Sequence, residues 1–103
     1  MANQDWTLEE WETSLQQDQV SALYLYAPMC GTCQVASQMV GLVRQMLPDV
    51  PIGEADLNYL PELAEKYEIE SVPCLLIQKD GVLQHKIYAF RNVAHLLEHF
   101  IES

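Results

Sequence analysis

The sequence predicts an α/β fold: a central mixed sheet of four to five strands, the optional fifth a short one near Trp6, flanked by four helices. Three observations carry this. Short runs of apolar, β-branched and aromatic residues alternate with segments whose apolar residues recur at helical spacing. One such run, residues 20–27, is apolar almost throughout, as a strand covered on both faces must be. Asp80 and Gly81 join two later runs and supply the positive φ angles of a two-residue hairpin turn.

The elements follow in order. Thr7 and Glu10 have the spacing of a capping box, and Leu8, Trp11 and Leu15 repeat at helical spacing, which predicts a first helix over 8–16. The strand at 20–27 delivers the chain to Cys30. From Cys33, the positions Val35, Ala36, Met39, Val40, Val43, Met46 and Leu47 make a helical stripe that Pro48 stops. A short strand at 52–57 leads into a third helix over 58–67, with Pro61 near its start. The hairpin strands follow at 74–78 and 83–90. Asn92 caps a last helix with Val93, Leu96, Leu97, Phe100 and Ile101 on one face. At 103 residues, one domain, 1–103, accounts for the whole chain.

Composition excludes several functions. Fifteen acidic against five basic side chains give a net charge of -10, which repels nucleic acid and anionic membranes. No run reaches the roughly 18 apolar residues of a membrane span. The acidic N-terminal stretch lacks the features of a secretory signal, so the chain reads as cytoplasmic. Three cysteines cannot all pair within one chain, which argues against a disulfide scaffold.

Cys30 and Cys33 stand where strand gives way to helix. A cysteine just before a helix meets free backbone N–H groups and the positive end of the helix dipole, both of which favour thiolate over thiol. Acidity alone gains only a few-fold in rate, because a more acidic thiol is a weaker nucleophile. A second thiol beside a mixed disulfide gains far more, since oriented intramolecular reactions reach effective molarities of about 10⁵ M. Two cysteines can also ligate a metal, but a four-ligand zinc site needs two more donors, and the chain has histidines only at 85, 95 and 99 and no second cysteine pair. His95 and His99 form an i, i+4 pair able to clip a metal, yet the apolar stripe falls elsewhere and they read as the wet face of the last helix. Cys74 reads as a small buried strand residue, with a sharper reading as a third redox participant.

With "APMCGTC" at the strand-to-helix corner and "SVPCLLIQKDG" downstream, the chain resembles the thioredoxin family over nearly its whole length. The resemblance implies a thiol–disulfide oxidoreductase that reduces protein disulfides. Cys30 would be the nucleophile, Cys33 the resolving thiol and Pro73 a cis-proline facing them. Met29, Gly31, Leu57, Val72, Pro73, Tyr88 and Ala89 would form the substrate groove. No cofactor or metal would be bound beyond the redox-active Cys30–Cys33 disulfide, and an NADPH-dependent flavin reductase of the thioredoxin-reductase type would supply electrons to a monomer. Departures from the family pattern are Tyr24, where a buried aspartate is usual, and Met29, Thr32, Gln34 and Ala89; Thr32 implies a less reducing couple. Glu54 stands where a lysine is common, and the expectation is that it supplies the missing carboxylate. Two rival readings use the same residues: glutaredoxin-like exchange with a low-molecular-weight thiol, and a non-catalytic adaptor or metal-binding module.

Overall fold

The computed structural model describes residues 5–17 and 19–101. Helix α1 spans Leu8–Gln17, strand β1 Val20–Tyr26, helix α2 Gly31–Met46 and strand β2 Ile52–Asp56. A 3₁₀ turn at Leu57–Tyr59 and helix α3 at Pro61–Lys66 precede the hairpin strands β3 (Cys74–Lys79) and β4 (Val82–Ile87), and helix α4 spans Val93–Ile101. The sheet order is β2-β1-β3-β4. β1 pairs with β2 in parallel through the α2 crossover and with β3 antiparallel, so the sheet is mixed as expected.

Side chains alternate across β1 and divide the core in two. Ala22 and Tyr24 face α2 and α4, joining Val40, Val43, Ile52, Leu75, Ile77 and Leu96. Leu23 and Leu25 face α1 and α3, joining Trp11, Ala55, Leu63, Cys74 and Leu76. Among the described residues no helix is long and apolar enough to cross a membrane.

Local signals formed what they encoded. The Thr7 amide donates to Glu10 Oε1 at 2.9 Å and the Glu10 amide to Thr7 Oγ1 at 3.1 Å, a closed capping box. Asp80 and Gly81 have φ of 54° and 86° and turn β3 into β4. Asn92 Oδ1 accepts from the His95 amide at 2.8 Å and caps α4.

Three expectations need correction. The third helix is not continuous over 58–67, because Pro61 has no N–H to give and constrains Leu60, leaving a 3₁₀ turn, a break and a short helix. Near Trp6 the described residues form a single bridge, Asp5 to Glu54, with the Trp6 amide donating to the Glu54 carbonyl at 2.8 Å, and no fifth strand is present among them. The Trp6 ring lies so close to Gly53 that a side chain there would collide with it. Within α2, Val35 and Met46 point outward, 55% and 57% exposed, so the buried stripe is narrower than the apolar pattern.

Candidate functional site

The chain leaves β1, turns with the Cys30 amide donating to the Ala27 carbonyl at 3.1 Å, and enters α2 with Cys30 as its N-cap residue. The helix thus starts at Gly31, directly after Cys30, as the strand-to-helix corner implied. No side-chain cap covers this end of α2, so its free amides and the positive end of the dipole act on the Cys30 sulfur. Cys33, one turn in, is 4% exposed, whereas Cys30 is half-buried. A disulfide joins the two, with a Cα–Cα distance of 5.3 Å. The Thr32 hydroxyl lies 3.4 Å from Cys30 Sγ, and because the bridged sulfur carries no proton, Thr32 is the donor.

The Val72–Pro73 peptide bond is cis, and Cys30 Sγ lies 3.9 Å from the Val72 carbonyl oxygen. Pro73, Tyr88 and Ala89 line a groove of about 470 Å³ beside the dithiol. Its other walls are Thr32, Val35, Ala36, Met39, Phe90 and Arg91, which sequence reasoning did not assign to it. The outward rotation of Val35 is one signal that brings α2 into that wall. Met29 is 96% exposed beside Cys30. Gly31 opens α2 with free space around its Cα. Leu57 packs instead on the α1/α3 side of the core, apart from the groove.

Behind the sulfurs, the fully buried Tyr24 donates its hydroxyl proton to the Cys33 carbonyl at 2.9 Å and accepts from Ser37 Oγ at 3.0 Å. Burial raises the pKa of both Tyr24 and Tyr26, and the negative charge of Glu54 adds to each. Glu54 sits opposite Tyr24 in the β1–β2 register, with Oε1 3.0 Å from Arg44 Nη2. Cys74 is fully buried, and desolvation pushes its thiol up to about 12, so it carries no thiolate at neutral pH.

The wet-face reading of the histidines needs correction. His85 on β4 and His99 on α4 meet edge to face at 4.7 Å, as do His95 and His99, and all three are partly buried. Among the described residues no group of three or more His, Cys, Asp or Glu is arranged to hold a metal ion.

Comparison with known proteins agrees with this geometry. The family model described as Thioredoxin matches residues 3–103. The chain is 48% identical over 91 residues to the thioredoxin-like protein YusE of Bacillus subtilis, covering 88% of this chain and 86% of that one. It is 28% identical over 81 residues to thioredoxin-1 of Saccharomyces cerevisiae, covering 79% of each. The crystal structure of oxidised mitochondrial thioredoxin 3 from the same yeast superposes with a TM-score of 0.86 at 26% identity, over 96% of this chain and 93% of the other. A bridged cysteine pair at the mouth of a helix, set in a fold shared from end to end, leaves little room for another assignment: the chain belongs to the thioredoxin family and is a thiol–disulfide oxidoreductase.

Proposed function

We propose that the chain reduces disulfides of protein substrates, with Cys30 attacking and Cys33 resolving. The carrying observation is the asymmetry of the pair, a half-buried sulfur at an uncapped helix start bridged to a buried one. The Cys30 thiolate attacks one substrate sulfur and the other leaves as a thiolate that takes up a proton. Cys33 then loses its proton and displaces the substrate sulfur from Cys30, closing the internal bond. Two electrons pass to the substrate. Extended substrate lies along the groove, with the Val72 carbonyl as a strand-like partner and Met29, Gly31, Pro73, Tyr88 and Ala89 around it, and Leu57 beyond.

An NADPH-dependent flavin reductase restores the dithiol of a monomeric, cytoplasmic protein, making the pair a link in electron transport. The buried, unpaired Cys74 suits a reducing compartment. Insulin reduction driven by NADPH with thioredoxin reductase is expected to exceed that driven by glutathione with its reductase at least tenfold. The reverse preference would replace this reading with the glutaredoxin-like one.

Two further predictions concern residues at the pair. Thr32→Val removes the hydroxyl that donates to Cys30 Sγ. A hydrogen bond to a charged group contributes about 1.5–3 kcal/mol, which the partial exposure of this site reduces, so the thiolate population at neutral pH is expected to fall about five- to tenfold. Ultraviolet absorbance of the thiolate reads it directly, and an unchanged absorbance–pH curve would remove Thr32 from the site. Glu54, whose charge reaches the Tyr24 hydroxyl, is assigned the proton that Cys33 sheds, passed through water. Glu54→Gln is then expected to lengthen the life of the mixed disulfide several-fold; resolution at the parental rate would dismiss that assignment.

A further inference from the structure

A buried phenol must find partners for its hydroxyl, and where it finds them says what it holds in place. Tyr24 is 0% exposed, its ring against Tyr26 at 5.9 Å and Phe90 at 6.0 Å. Its hydroxyl proton goes to the main-chain oxygen of Cys33 at 2.9 Å, and its oxygen takes the Ser37 hydroxyl proton at 3.0 Å. A carbonyl inside an α-helix already accepts from the amide four residues on, and uses its second lone pair only when another donor is aimed at it. The phenol therefore does not rescue an orphaned carbonyl. It ties the first turn of α2 to the middle of β1, at the residue that carries the second sulfur.

We infer that Tyr24 is a positioning residue of the exchange reaction, its hydroxyl, steadied by Ser37, fixing the Cys33 backbone so that the Cys33 sulfur stays within attacking distance of Cys30 when the internal bond is open. This rests on the reading of Cys33 as the resolving thiol. In that step the Cys33 proton passes through water to Glu54, the acceptor assigned above, its sulfur lone pair forms the bond to Cys30, and the bond from Cys30 to substrate breaks with its electron pair on the departing sulfur. An intramolecular attack of this kind is sensitive to placement, and a displacement of about 1 Å can cost on the order of a hundredfold. Burial and the nearby Glu54 charge keep the phenol protonated, against the smaller opposing effect of the Ser37 hydrogen bond, so it remains a donor while the thiols titrate.

The test is the effective molarity of the Cys30–Cys33 pair, obtained by equilibrating the free protein with glutathione, alongside the lifetime of a mixed disulfide on Cys30. Tyr24→Phe keeps the ring and removes the hydroxyl. It is expected to lower the effective molarity and slow resolution by about tenfold, by a factor that stays constant from about pH 6 to 9. Initial attack by Cys30, measured with Cys33→Ser also present, should change less than twofold. Ser37→Ala, at an exposed helix position, should give about a threefold loss of the same sign. Effective molarity and lifetime within twofold of the parent in Tyr24→Phe would overturn the inference whatever the melting temperature. If Tyr24→Phe does not fold, an unchanged value in Ser37→Ala would overturn it. Because effective molarity is measured without a protein substrate, this result stands apart from the substrate and donor assignments above.

Discussion

Cys30→Ser is expected to abolish disulfide reduction, and Cys33→Ser is expected to leave a protein that attacks once and stays covalently bound to its substrate. The two sulfurs differ in access and not in kind: one is half-buried at the helix tip, the other 4% exposed and one turn deeper. Without the first there is no thiolate at the groove, and the second cannot reach a bulky substrate. Without the second, the mixed disulfide waits for a thiol from solution. Replacing an effective molarity of about 10⁵ M by millimolar external thiol is a loss of up to about 10⁸-fold, and a protein that reaches only a small part of that ceiling still loses at least 10³-fold. Non-reducing electrophoresis and mass spectrometry of intact adducts distinguish the two variants. Equal residual turnover in both would overturn the division of labour.

The corner that holds the dithiol was legible because it is local. A capping box, an Asp-Gly turn, an Asn cap and a cysteine at a strand-to-helix junction each act through residues three or fewer positions apart, and each formed as read. What stayed hidden depends on register and on helix rotation. Nothing local to Tyr24 points to the Cys33 carbonyl, nine residues on, or pairs Glu54 with Arg44; both contacts need β1, β2 and α2 stacked in their final positions. The groove was read from Pro73, Tyr88 and Ala89, but its opposite wall comes from α2 residues whose periodicity suited the core equally well. The histidines resisted for the same reason. A polar side chain on a helix reads as solvated until a neighbouring strand, here β4 with His85, is brought against it.

Gln78→Leu is expected to lower stability by about 2–4 kcal/mol without altering the chemistry of the dithiol, although leucine is the better core residue by composition. Gln78 is 0% exposed on β3, beside the bulge between Ile77 and Gln78. Its Nε2 donates to Ser21 Oγ at 2.9 Å and to the Ser14 carbonyl at 3.4 Å, while its Oε1 accepts from the Gly81 amide at 2.8 Å. Ser14 Oγ in turn donates to the Trp11 carbonyl at 2.6 Å and lies 2.8 Å from Ser21 Oγ. One amide thus ties α1, β1 and the hairpin turn together from inside the sheet. Leucine fills similar space but takes one hydrogen bond each from Ser21 Oγ, which keeps Ser14 Oγ, from the Ser14 carbonyl and from the Gly81 amide, at about 1 kcal/mol for each bond lost and more for a group left without a partner, less where water reaches Gly81. In a domain of this size that corresponds to a fall in melting temperature of about 10–20 °C. Adding Ser21→Ala to Gln78→Leu should recover about 1 kcal/mol, because removing both partners leaves fewer buried groups unmet than removing one. Gln78 lies four residues along β3 from Cys74, roughly 13 Å at strand spacing, so exchange rates well below the transition should match the parent. A melting temperature within about 2 °C of the parent would mean that water already satisfies these groups and that the buried amide carries no share of the fold's stability.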